Sequence, residues 1–151
     1  MAEPIIQEFH PHLIGYPVRF AWRSEPRKVM NKIAFATAEI VKGRFAQFVM
    51  TDDEKAMDGQ DNGAAMFWIE VAEPCWEEAT ERQRLAVLDH ELLHCVIEDT
   101  DDGDRKMAIH THDIEEFEAI ITRHGIYRED YWSFALAMNE ASDGVRPDLT
   151  P

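Results

Sequence analysis

The residues most suited to chemistry in this sequence form the run His90-Glu91-Leu92-Leu93-His94, an HExxH pattern. Two histidines at this spacing lie about 6 Å apart on one face of an α-helix, so both imidazoles can reach the same tetrahedral Zn²⁺ ion. Glu91 lies one position further round the helix, near the open side of such an ion, where its carboxylate can take a proton from bound water. The spacing therefore predicts a hydrolytic zinc site with His90 and His94 as ligands and Glu91 as general base.

A catalytic zinc site usually has a third protein ligand. The candidates lie on a helix predicted over residues 112–124, which the segment 98–106 can return alongside the first helix. We favour His112, because the helix N-terminus favours a neutral imidazole that can bind metal. Glu116 would then orient a ligating histidine through its second ring nitrogen. The reverse assignment, with Glu116 on the metal, is chemically reasonable and stays open.

Three further residues near these motifs are weaker candidates. His110 and Tyr127 are possible contacts to the substrate or to a developing oxyanion. Cys95 follows His94 directly but points about 100° away round the helix, so we expect a buried thiol and not a ligand.

The element that must position the motif is the best defined in the sequence. Thr80 and Gln83 have the spacing of a capping box, which satisfies unpaired amides of a first helical turn. A helix is predicted from there over about 81–97, and its apolar face comprises Leu85, Leu88, Leu92 and Val96. The run 65–72 is rich in β-formers and predicts a strand just before this helix.

The remaining pattern predicts strands first and helices later. Val18–Arg23 alternates as a half-buried strand does. The other predictions are a helical segment over 3–14 that Pro11 limits, a second strand within 29–41 running into a short helix or loop, surface loops over 51–64 and 98–106, and a short helix over 131–138. This order predicts an α+β fold, in which a small β-sheet packs on the HExxH helix and on a following ligand-bearing helix.

Length and composition limit the classes of function. With 151 residues, the chain predicts one domain over 1–138 and a flexible tail over 139–151. The net charge of −15 argues against direct binding to nucleic acid, which needs clustered Lys and Arg. No apolar run approaches the roughly 20 residues of a membrane span. The absence of an export-signal pattern, with only two cysteines, leads us to expect reduced thiols in a cytoplasmic protein.

Three segments together resemble a known family. The segments are FHPHL (Phe9–Leu13), LDHELLHC (Leu88–Cys95) and HDIEEF (His112–Phe117). Over about residues 5–135, the chain resembles the metallopeptidases of bacteriophages and prophages, a small zincin-like group distantly similar to SprT-type proteins. The resemblance implies a zincin-like domain with a strand beside the HExxH helix, and zinc held by His90, His94 and His112. It also implies a peptide or protein substrate in the cytoplasm of a bacterial host.

Three functions follow from these observations. The first is a zinc-dependent peptidase; if the strand over 65–72 forms the edge of the site, it could pair with an extended substrate. The second is an acidic, phage-encoded binding protein that mimics nucleic acid, occupies a host protein partner and keeps a structural or vestigial metal site. The third is a metal hydrolase acting on substrates other than peptides.

Overall fold

The computed structural model describes residues 1–29, 32–56, 64–112, 123 and 129–142. The chain divides into two compact units, Met1–His110 and Thr111–Pro151. The helices of the first unit are α1 (Ala2–Phe9), a 3-10 turn (Pro11–Leu13), α2 (Arg44–Val49), α3 (Asp52–Lys55), α4 (Glu73–Glu78) and α5 (Glu81–His94). Its strands are β1 (Val18–Arg23), β2 (Arg27–Val29), β3 (Lys32–Ala34), β4 (Ala36–Lys42), β5 (Ala65–Ala72), β6 (Cys95–Asp99) and β7 (Arg105–Ile109).

Helices and small sheets confirm the predicted α+β class. The largest sheet of the described residues has the order β1-β5-β4, with β1 parallel and β4 antiparallel to β5. β5 has the bounds predicted from its composition. Phe67 and Ile69 on this strand are fully buried, because β5 has a partner strand on both sides and packed residues on the face that these two side chains occupy.

Helix α5 packs against that face of the sheet. Its Leu88 and Leu92 belong to the same buried cluster as Phe67 and Ile69. The helix begins at the predicted capping box, since the Thr80 side chain accepts from the Gln83 amide and the Gln83 side chain accepts from the Thr80 amide. The predicted packing of a sheet on the HExxH helix is therefore confirmed. The following ligand-bearing helix lies mostly outside the described residues.

The end of α5 differs from the prediction. The helix ends at His94, and the chain continues directly into the hairpin of β6 and β7, where a helix to 97 and a loop over 98–106 were expected. Opposite charges face each other in this hairpin, with Asp99 across from Arg105 and Glu98 across from Lys106. Gly103 supplies the positive φ that the turn requires. The strands were not predicted because their charged residues are typical of a solvated loop.

Two other segments are also more ordered than expected. In the described part of 29–41, β3 pairs with β2 and most of β4 follows, whereas one strand running into a helix or loop was expected. Within the expected loop over 51–64, α3 forms a helical turn behind its own capping box, with Thr51 and Glu54 as the reciprocal pair. The rest of that loop, 57–63, lies outside the described residues.

The second unit contributes one long described helix, α6 (Glu129–Ser142). It begins before and ends after the predicted helix over 131–138, and Tyr131 on it is buried. Most of the helix predicted over 112–124 lies outside the described residues. In the part of the chain that the structure describes, no helix has the length and apolar character needed to cross a membrane.

Candidate metal centre

The last turn of α5 brings the side chains of the two histidines of the HExxH pattern together. The Nε2 atoms of His90 and His94 lie 3.3 Å apart, and their rings cross at 84°. Two nitrogens bound to one tetrahedral Zn²⁺ at 2.0–2.1 Å are separated by about 3.4 Å. The observed separation of the two Nε2 atoms therefore matches the separation that a shared metal ion requires.

The ring of His94 is oriented by the strand that follows. Its Nδ1 donates to the carbonyl oxygen of His110 at 2.6 Å, and the amide of His110 donates to the carbonyl of His94 at 2.8 Å. A carbonyl can only accept, so Nδ1 carries a proton, and the tautomer with this proton on Nδ1 has its lone pair on Nε2. A second hydrogen bond of this kind fixes the tautomer and the orientation of a metal-binding histidine.

His112 completes a group of three. One ring nitrogen from each of His90, His94 and His112 lies within 4.8 Å of the other two. His112 follows the end of β7 at Ile109 by three residues and is exposed. Three imidazoles with a vacant fourth position form the donor set of several catalytic zinc sites. This group could hold a metal ion, and it is the set expected from the sequence.

Glu91 lies beside this group but is buried, with 5% of its surface exposed. Burial raises the pKa of its carboxyl group, while the nearby His94 and a hydrogen bond from the Ala38 amide act in the opposite direction, and the net effect is upward. A carboxylate with a raised pKa is a stronger base near neutral pH. The environment therefore suits the general-base role expected of Glu91.

The strand beside Glu91 is β4, because Ala38 belongs to that strand. The strand over 65–72 would pair with a substrate only if it formed the edge of the site, and this condition is not met. This strand is β5, the centre of the sheet, with β1 and β4 on its two sides. A central strand has no open edge to offer a substrate. β4 is the edge strand nearest the HExxH helix.

The other candidate residues have different outcomes. The His110 side chain is exposed, and the contacts described above come from its main chain. Glu116 and Tyr127 lie outside the described residues, so the choice between His112 and Glu116 as third ligand stays a prediction. Cys95 is completely buried, as expected, and its thiol donates to the Glu91 carbonyl. Burial, and then the charge of Glu91, raises the pKa of this thiol to about 12.

Two histidines near the N-terminus contact α5 and the first residue of β6, and their spacing does not predict a role. His10 is buried, and its Nε2 lies 2.7 Å from Oδ1 of Asp89. Nε2 of His12 lies 3.0 Å from the carbonyl oxygen of Cys95. Both belong to the FHPHL segment, where Pro11 begins the 3-10 turn. The resemblance of that segment was the only sequence signal for them.

Comparisons with known proteins give one result. No curated protein and no solved structure matches this chain. A family model described as "Putative phage metallopeptidase" matches residues 1–139, a range that includes the FHPHL segment, the HExxH helix and His112. Because this match covers most of the 151 residues, the chain belongs to the family of putative phage metallopeptidases.

Proposed function

We propose that this protein is a zinc-dependent peptidase with His90, His94 and His112 as metal ligands and Glu91 as general base. The observation that carries the proposal is the 3.3 Å separation of the His90 and His94 Nε2 atoms next to a buried glutamate. Family membership supports a peptide or protein substrate. Glu116 stays an alternative for the third ligand.

The chemistry divides between the metal and the chain. When bound, Zn²⁺ supplies Lewis acidity, which lowers the pKa of water towards about 7 and polarises a substrate carbonyl. Glu91 takes one proton from the attacking water and passes it to the amine nitrogen as the peptide C–N bond breaks. The His110 carbonyl keeps the His94 ring in the orientation that presents Nε2 to the metal.

β4 offers a place for an extended substrate. In the described ranges, β5 pairs with one side of β4 and no strand pairs with its other side. The Ala38 amide acts to lower the pKa of the Glu91 carboxyl group, which indicates that this carboxyl group lies beside the strand. We propose that the substrate backbone adds along β4, because strand addition supplies hydrogen bonds with little dependence on side chains.

The experiment is hydrolysis of an unstructured, fluorescently quenched polypeptide by the protein loaded with Zn²⁺. Glu91→Gln should keep the metal and lose about 10²-fold to 10⁴-fold in turnover, the range for loss of a general base. Glu81→Gln, at the exposed start of the same helix, is the matched control and should retain turnover. Undiminished cleavage by Glu91→Gln would reject the role of Glu91. Absence of cleavage by the wild type, with turnover of an ester or phosphate substrate, would favour a hydrolase of another kind.

A further inference from the structure

The two hydrogen bonds from the FHPHL segment reach the residues on either side of the HExxH run. His10 contacts Asp89, directly before His90, and His12 contacts Cys95, directly after His94. The two donor rings are themselves close, with centroids 5.9 Å apart. One short turn of the chain is therefore attached to both ends of the ligand-bearing turn of α5.

The donors in both contacts follow from the acceptors. A carboxylate and a carbonyl oxygen can only accept, so Nε2 of His10 donates to Asp89 and Nε2 of His12 donates to Cys95. The bond from His10 has a charged acceptor and is short, which marks the stronger class of hydrogen bond. In each ring the nitrogen that reaches this segment is thus used for its proton, and neither histidine belongs to the group of three that could hold a metal ion.

The buried position of His10 is energetically unfavourable for a polar side chain. The ring is 1% exposed, and its Nδ1 is buried without a hydrogen-bond partner in the part of the chain that the structure describes. A buried polar atom without a partner destabilises a fold, and an apolar side chain of similar volume would avoid that cost. A histidine at this position therefore suggests that the bond to Asp89 does something that apolar packing cannot do.

The turn that these bonds hold lies at the end of its helix. α5 ends at His94, and the last turn of a helix frays unless its terminal carbonyls find partners. His12 supplies such a partner to the Cys95 carbonyl, and His10 ties the opposite end of the same turn to the 3-10 segment. Metal ligands need positions that are fixed within about 0.5 Å, which supporting hydrogen bonds provide.

We propose that His10 and His12 are positioning residues of the metal centre, which hold the segment from Asp89 to Cys95 so that His90 and His94 present their Nε2 atoms to one ion. This inference rests on the proposed function, since it concerns the same metal. It predicts that losing either bond weakens metal binding more than it weakens the fold.

The test measures the Zn²⁺ dissociation constant by competition with a chromophoric chelator, and the visible spectrum of the Co²⁺-loaded protein. His10→Phe keeps an aromatic ring and removes the donor, while Asp89→Ala removes the acceptor. Each should raise the Zn²⁺ dissociation constant about tenfold, the lower end for supporting partners of metal ligands, and should alter the Co²⁺ spectrum. The double variant should lose no more than one single variant, because both changes remove the same bond.

Conservative variants and a control on the same helix separate positioning from stability. Asp89→Asn keeps an acceptor and His12→Gln keeps a donor, so both should bind Zn²⁺ as the wild type does, whereas His12→Ala should not. Arg84→Ala removes the bonds from the first half of α5 to the Trp76 and Glu77 carbonyls. It should lower the unfolding temperature of the metal-free protein and leave the Zn²⁺ dissociation constant unchanged.

Two failures have different meanings. If the wild type binds Zn²⁺ at one ion per chain and the His10, His12 and Asp89 variants bind it within twofold of the wild type, the positioning role is overturned and the proposed function stands. If the wild type itself binds no Zn²⁺, the proposed function fails and takes this inference with it.

Discussion

The main chain of His110 holds the ring of His94, with the His110 carbonyl accepting from Nδ1 at 2.6 Å and the His110 amide donating to the His94 carbonyl at 2.8 Å. The end of β7 thus fixes the end of α5. The His110 side chain takes no part in these bonds and is exposed. The backbone of His110 therefore supports the ring of His94, and contact of the His110 imidazole with a substrate stays a prediction.

Replacing the His110 side chain separates these two roles. His110→Ala keeps both main-chain bonds, so we expect the Zn²⁺ dissociation constant to stay within twofold of the wild type. Removing His94 itself, in His94→Ala, should abolish stoichiometric binding. Isothermal titration with Zn²⁺ checks both variants. A large loss of affinity in His110→Ala would show that its ring, and not only its backbone, supports the metal.

Metal removal should lower the stability of the fold. A ligand that binds only the folded state stabilises it by about 2.7 kcal/mol when its concentration is a hundred times its dissociation constant. Adding Zn²⁺ at that excess should therefore raise the unfolding temperature by several degrees, and a chelator should reverse the rise. His90→Ala should show no such response. An equal response in wild type and His90→Ala would place the metal elsewhere on the chain.

The ion pair between Arg19 and Glu54 should make stability depend on pH in the acid range. It joins β1 to α3 at 2.7 Å. Burial pushes the pKa of Glu54 up, but the Thr51 amide and the Arg19 guanidinium outweigh it, so the pKa lies below its ordinary 4.5. Because the folded pKa is the lower one, the contribution is fully present above pH 4.5 and is lost as the pH falls through the folded value.

The variant Glu54→Gln measures that contribution, because glutamine keeps the capping contact with Thr51 and loses the charge. Urea unfolding at pH 7 should show the variant less stable by about 0.5–1 kcal/mol, the usual size for a partly exposed pair. At pH 3 the two proteins should differ by less. A difference that stays constant between the two pH values would contradict the assignment to this ion pair.

The two cysteines should react with thiol reagents at very different rates. Cys75 is half-buried, whereas Cys95 is completely buried and its pKa is raised from 9.0 to about 12. Such a shift reduces the reactive thiolate about a thousandfold near neutral pH. A disulfide reagent should therefore modify one thiol of the native protein quickly and the second only after unfolding. Fast modification in Cys75→Ser would contradict the buried position of Cys95.

The sequence predicted the elements in which one periodicity dominates. β5 has its predicted bounds because its apolar run is flanked by a clear break, and α5 begins at the predicted capping box. The β6–β7 hairpin could not be predicted, because its strands are stabilised by charges paired across it, such as Glu98 with Lys106, and cross-strand pairing is not visible along the chain.

In the candidate site, too, the local pattern was predictable and the long-range contacts were not. The spacing of His90, Glu91 and His94 is a local signal, and a helix converts it directly into geometry. The contacts of His10 with Asp89 and of His12 with Cys95 join residues about eighty positions apart. No local sequence pattern predicts these contacts. They form only when the N-terminal turn packs against the end of α5.

The most direct test of the central claim is anomalous X-ray diffraction at the zinc absorption edge, from crystals of the protein prepared with one equivalent of Zn²⁺. We predict one strong peak at about 2.0–2.1 Å from Nε2 of both His90 and His94, with His112 as the third protein ligand. A map with no peak between His90 and His94 would contradict the assignment of a metal centre to this helix.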